Sequence, residues 1–136
     1  DKLQGDGDVE QKYLDSERGE CLDRFTAKVV GNRVEFVSAE DNQTMIFDLI
    51  VGDAGPPQQL DMKAILSDND RNELLKPWKG TAETPPESIT NPVFYAIIEG
   101  DSTELRICNH EHPGEARPIQ FTDKGGRVIW KLTRRQ

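Results

Sequence analysis

Residues 25–39 read FTAKVVGNRVEFVSA. Phe25, Ala27 and Val29 alternate with Thr26, Lys28 and Val30. Gly31-Asn32 then interrupts, and Val34 and Phe36 resume one face of a stretch running from Arg33 to Ala39. A strand repeats its faces every two residues and a helix every 3.6, so this alternation predicts two strands, and the Gly-Asn pair between them is a two-residue hairpin turn.

Outward from this hairpin the same grammar continues. Glu40-Asp41-Asn42 turns the chain into Thr44 to Val51, where Met45, Phe47 and Leu49 share a phase. A breaker-rich loop at 52–57 precedes Leu60, Met62 and Ala64, which alternate with Asp61 and Lys63. Past Pro92, Val93 to Ile98 reads as a strand, Gly100-Asp101-Ser102 as a turn, and Glu104 to Cys108 as the return, with Leu105 and Ile107 in phase. Arg117 to Phe121 is expected to be another strand, followed by a Gly125-Gly126 turn and by Val128 to Thr133, with Val128, Trp130 and Leu132 on one face. One-sided strands joined by short turns predict an antiparallel sheet. About eight of them predict an all-β, up-and-down barrel formed by residues 1–136 as one domain, closed by pairing of Val128 to Thr133 with Val9 to Tyr13.

Residues 66–91 break the rhythm and read as an insertion with one short helix. Ser67 is placed to cap it, Asp68 and Asp70 favour its first turn, Leu74 and Leu75 give it an apolar side, and Pro77 stops it. Asp68, Asp70 and Asn72 also imitate the start of a calcium loop, but the sixth position is Glu73 and the twelfth Lys79, so the helix reading prevails.

The 136 residues carry 17 Lys and Arg against 25 Asp and Glu, a net charge of −8 that argues against nucleic acid or an anionic membrane as the principal partner. No apolar run approaches the roughly 20 residues of a membrane-spanning helix. Residues 115–136 are locally basic, with six Lys or Arg against Glu115 and Asp123, and Lys131, Arg134 and Arg135 are expected to cover an acidic neighbour near the chain start. The chain begins at Asp1 without a Met, so a removed leader or excision from something longer is expected, and an exported or cell-envelope location is favoured. Cys21 and Cys108 suit either one disulfide or two buried thiols, and Cys108, in phase with an apolar strand, is expected to be buried.

The C-terminal third carries Gly100-Asp101, Leu105-Arg106-Ile107-Cys108, Pro113-Gly114-Glu115, Arg117-Pro118, Phe121 and Gly126 before the closing strand Val128 to Arg134. With Leu3-Gln4-Gly5 and Val9 at the start, the chain resembles a small uncharacterised lipocalin-like domain family expanded in planctomycete bacteria. That family reads L-x-G-x-W at its start and G-x-x-R-P-x-x-F with a terminal K-R near its end. The resemblance implies a lipocalin-like barrel with an opening-strand aromatic ring under a closing-strand cation, and it brings no activity. Gly7 stands where the family has its Trp, so Trp130, and after it Trp78, is expected to refill the space.

Chemistry is sparse. Cys108, His110 and His112 alternate, and a sulfur with two imidazoles on one face of a strand suits zinc or copper, so they are weak metal candidates only. The nucleophile-elbow, zinc-protease and phosphate-loop motifs are missing, and the reading leans away from an enzyme and names no cofactor. The leading function is a non-catalytic binding module, expected to be a monomer, with a small apolar or peptide ligand inside a barrel lined by Val9, Phe25, Phe36, Phe47, Val128 and Trp130. The insertion would be its lid, and Trp78 and Lys79 would be lid or partner contacts. The alternative is a structural or protein-interaction domain of the cell envelope with a filled barrel, and the third reading is metal-dependent activity at Cys108, His110 and His112.

Overall fold

The computed structural model describes residues 5–15, 17–52, 57–101 and 103–134. Leu3 and Gln4 of the opening motif, Ser102 and Arg135 lie outside the described residues. Eight antiparallel strands, β1 (Gly5–Asp15), β2 (Gly19–Val30), β3 (Arg33–Ser38), β4 (Thr44–Val51), β5 (Gln58–Ile65), β6 (Val93–Gly100), β7 (Glu104–His110) and β8 (Arg127–Arg134), follow one another around a closed barrel. Closure comes from β8 pairing back onto β1, Tyr13 opposite Val128 and Val9 opposite Leu132.

The hairpin that decides the fold forms as read. Val30 pairs with Arg33, leaving a two-residue loop in which Gly31 takes φ +63°. Glycine in that first position suits a turn whose twist matches the flanking strands. The inward parity then fills the interior. Val9, Val34, Phe36, Leu49, Leu60, Met62, Ile98, Leu105 and Ile107 are buried, and Phe36 stacks on Trp130 with ring centroids 4.8 Å apart.

Burial is uneven along the barrel axis. Along β1 the inward residues Gly7 and Val9 are buried, whereas Gln11 and Tyr13 are half-buried. The same gradient runs along β2 from Val29 and Ala27 to Cys21. One end is therefore packed solid and the other is open. At the packed end the connections are the short turns after β2 and β6 and the loop after β4. At the open end lie the two long connections, the insertion between β5 and β6 and a strap over residues 111–126 between β7 and β8.

The insertion carries helix α1 (Asp68–Leu75), capped by Ser67, whose side chain accepts from the Asp70 amide at 3.1 Å, and one further turn, α2 (Glu87–Thr90). Pro77 falls in a 3₁₀ turn directly after α1. No residue of α1 is buried.

Three expectations need correction. Arg117 to Phe121 is not a strand. β7 pairs with β8 directly from Glu104–Thr133 to His110–Arg127, so no free edge is left for it, and Pro118 removes a ladder donor. Instead the strap crosses the outside of the barrel. Arg117 Nη1 donates to Ala96 O at 2.7 Å and Leu60 O at 3.2 Å, and Nη2 to Asp61 Oδ1 at 2.7 Å. Second, Cys108 is buried but not on the inward phase of Leu105 and Ile107. It faces outward opposite Ile97, and both are covered because the strap lies over them, Cys108 Sγ sitting 3.4 Å from Thr122 O. Third, Trp130 does not refill the place of Gly7. The register sets Trp130 against Gln11 and Ile107, and Gly7 against Ala27 and Arg134, about 13 Å further along the strand. There is also no vacancy at Gly7, where a Cβ would lie 2.9 Å from Thr133 O.

The β6–β7 turn yields a stability prediction. Asp101 Oδ1 accepts from the amides of Thr103 and Glu104 at 2.9 and 3.0 Å, and Gly100 enters the turn at φ +129°. A Cβ there would overlap the Glu104 carbonyl and sit 2.9 Å from Leu105 Cα. Gly100→Ala is expected to cost about 1–3 kcal/mol through backbone strain. Urea denaturation reads it, and a neutral substitution would mean the turn relaxes freely.

Candidate functional site

The gradient of burial leaves a cavity of about 210 Å³ in the open half of the barrel. Its walls come from inward positions near the open ends of the strands. Phe47, Phe94 and Trp130 supply rings, Met45, Met62 and Val128 supply aliphatic surface, and Gln11, Tyr13, Asn109 and Glu111 supply polar groups. Phe94 packs edge-on against Phe47 at 5.9 Å between centroids, continuing the aromatic series that runs through Phe36 to Trp130.

The polar groups are held to different degrees. Among the described residues Asn109 is the buried polar residue of the interior. Its Oδ1 accepts from Trp130 Nε1 at 2.7 Å and its Nδ2 donates to His110 O, so the amide fixes the indole plane in the cavity wall. Tyr13 donates its hydroxyl to Asp23 Oδ2 at 3.0 Å. Burial, then that hydrogen bond and the Asp23 charge, push the phenol above its ordinary pKa, so it stays a neutral donor. Arg18 Nη2 reaches the same hydroxyl at 3.3 Å. Glu111 opens the strap just beyond β7. Its amide is tied to Gly126 O, and its half-exposed carboxylate lies 3.4 Å from His112 Nε2.

Of the residues expected to line a ligand site, Phe47, Val128 and Trp130 face the cavity. Val9 and Phe36 lie in the packed interior, and Phe25 packs against Phe36 and Trp130. The insertion supplies no cavity wall. Trp78 and Lys79 instead line a separate surface groove of about 520 Å³ with Leu75, Lys76 and Pro85. Cys108, His110 and His112 do not gather. β7 ends at His110, which breaks the alternation before His112. Among the described residues no three His, Cys, Asp or Glu side chains come together to hold a metal ion. Both cysteines are free thiols, and burial raises the pKa of Cys108.

Gln11, Asn109 and Glu111 were not singled out from the sequence, although a signal was present. Gln11 follows Val9 on the inward phase and Asn109 follows Ile107, so each is a polar side chain where the alternation calls for an apolar one. Comparison of the chain with protein-family models, with curated proteins and with solved structures finds no match, so the geometry of the open end stands alone as the basis for a functional reading.

Proposed function

We propose that this chain is a non-catalytic binding module whose barrel takes a small, largely apolar molecule at its open end. The observation that carries the reading is the cavity of about 210 Å³ walled by Phe47, Phe94, Trp130 and three aliphatic side chains. An engineered apolar cavity of about 150 Å³ stays dry and admits benzene, so this volume suits a molecule of one ring with a short substituent. Water against the ring and aliphatic walls finds few partners, and its replacement there by hydrocarbon is favourable. The packed half of the barrel holds the walls in place, which spares a ligand the cost of ordering them.

The test is a titration of ¹⁵N-labelled protein with toluene, read at the Trp130 indole N–H and the amides of Val128 and Asn109, with Trp78→Phe used to assign the two indoles. Saturable shifts at those three sites, with Leu60 and Leu105 in the packed half unmoved, are the expected result. Shifts absent there would overturn the reading. Native mass spectrometry of the purified protein for a retained small molecule adds a second readout.

The second reading, an interaction domain, is favoured by one feature. The groove beside Trp78 combines apolar Leu75, the last residue of a helix that buries none of its residues, and Pro85 with Lys76 and Lys79 from the segment that follows. A chain that retains no small molecule and loses a protein partner on Trp78→Ala would favour it.

A further inference from the structure

The rim and the walls of the cavity differ in chemistry, and the difference narrows the ligand class. The walls include the rings of Phe47, Phe94 and Trp130, and an aromatic π-system carries negative potential that attracts cations. Among the residues lining the cavity, Glu111 is the one acidic side chain, and it stands at the mouth where the strap begins. The surface groove that adjoins the mouth at Glu111 runs past Asp15 and Glu17, so further carboxylates extend from the same point. Arg18, the cation nearest the Tyr13 hydroxyl, is largely exposed and lies 3.9 Å from Asp15. His112 beside Glu111 is three-quarters exposed, so a ligand can displace it into solvent.

Any molecule that fills the cavity takes water from the Glu111 carboxylate. A neutral hydrocarbon leaves that loss uncompensated, and an anion adds repulsion from the carboxylate. A cation compensates it with a charge-assisted hydrogen bond. The net charge of −8 concentrates cations near the surface in the same sense.

We infer that the ligand is a compact organic ammonium ion, a protonated alkyl or aryl amine whose hydrocarbon body lies among Phe47, Phe94 and Trp130 and whose nitrogen sits at the mouth against Glu111. The inference rests on the reading of the cavity as a small-molecule site.

Three probes of nearly equal size separate the two claims: benzylamine, benzyl alcohol and benzoate, each titrated into the labelled protein at pH 7 and low salt. Benzylamine is expected to bind about tenfold more tightly than benzyl alcohol, with benzoate weakest. Glu111→Gln is expected to bring benzylamine down to the level of benzyl alcohol and to leave benzyl alcohol unchanged. The amide spectrum of the variant reports its fold directly, and Glu111→Ala serves as the second variant. Benzyl alcohol matching or exceeding benzylamine overturns the ammonium assignment while the apolar site stands, and a benzylamine preference that survives both variants overturns the placement of the nitrogen at Glu111. No shift at the Trp130 indole with any of the three overturns the small-molecule site itself.

Discussion

Trp130→Ala is expected to lower stability by about 3–5 kcal/mol, the range for emptying a packed aromatic position. The ring is 4% exposed, stacks on Phe36 at 4.8 Å and lies 5.7 Å from Phe25, so its removal strips contacts from the centre of the interior. The substitution also strands the Asn109 side-chain oxygen, which accepts from the indole at 2.7 Å and is buried with it. An unsatisfied buried acceptor adds about 1–3 kcal/mol, and this part is separable. Trp130→Phe keeps a six-membered ring and loses the pyrrole half with its N–H, so it is expected to cost less than Trp130→Ala while still stranding Asn109. Adding Asn109→Ala to Trp130→Phe should then cost less than the sum of the two single changes. Urea denaturation of the four variants, Asn109→Ala alone included, reads all of it. A loss under about 1 kcal/mol for Trp130→Ala would mean the open half of the barrel is too loosely packed to define a site.

What was legible in the sequence follows from which forces act locally. The period-two pattern of Phe25 to Phe36, the Gly31-Asn32 turn and the Ser67 cap depend on residues adjacent in the chain, and each formed where the pattern placed it. Closure was legible too, because short turns between one-sided strands leave the last strand no better partner than the first. The strands at the open end were harder to read. β2 begins at Gly19, but Cys21 and Asp23, its first inward positions after Gly19, face the mouth rather than the core, so no apolar alternation announces residues 19–24.

The misplaced residues share a different cause. Cys108 follows Ile107, and buried side chains on both faces of a strand look alike in sequence whether the outer cover is a second sheet or a strap. Only the tertiary position of residues 117–122 decides that Cys108 and Ile97 form an outer apolar layer while Leu105 and Ile107 enter the core. Gly7 is the converse. A missing side chain suggested a void, yet the close approach of the β8 backbone at Thr133 leaves no volume to fill. Of the site itself, the rings Phe47 and Trp130 were readable from their phase. Gln11 and Asn109 were not read, because a polar residue near a strand end looks like ordinary surface until the barrel is known to be open there.

Arg117 is where that outer layer can be released on its own. Its guanidinium bonds two main-chain carbonyls on adjacent strands and the Asp61 carboxylate, and it lies 5.5 Å from the Tyr95 ring. The Arg117 and Asp61 side chains are 24% and 30% exposed, so solvent screens the pair only partly. Arg117→Ala is expected to cost about 2–4 kcal/mol, below the full range for breaking a buried ion pair because of that exposure. The loss should appear first in the strap. Phe121, under Arg106 at 5.0 Å, and the main chain at Gln120 and Thr122 hold only the far side of the strap, and Cys108 lies directly beneath. In the native protein Cys108 is buried and its thiol is held protonated by desolvation, so a thiol reagent should label half-buried Cys21 first. With Arg117→Ala the Cys108 rate should rise by an order of magnitude or more in a fold that still shows the barrel spectrum. Arg117→Lys restores the charge opposite Asp61 without the fork that spans Leu60 and Ala96, so it should recover only part of the protection. If Cys108 labels in Arg117→Ala only as fast as the whole barrel unfolds, the strap is part of the cooperative core, and the mouth it borders at Glu111 is as rigid as the packed end.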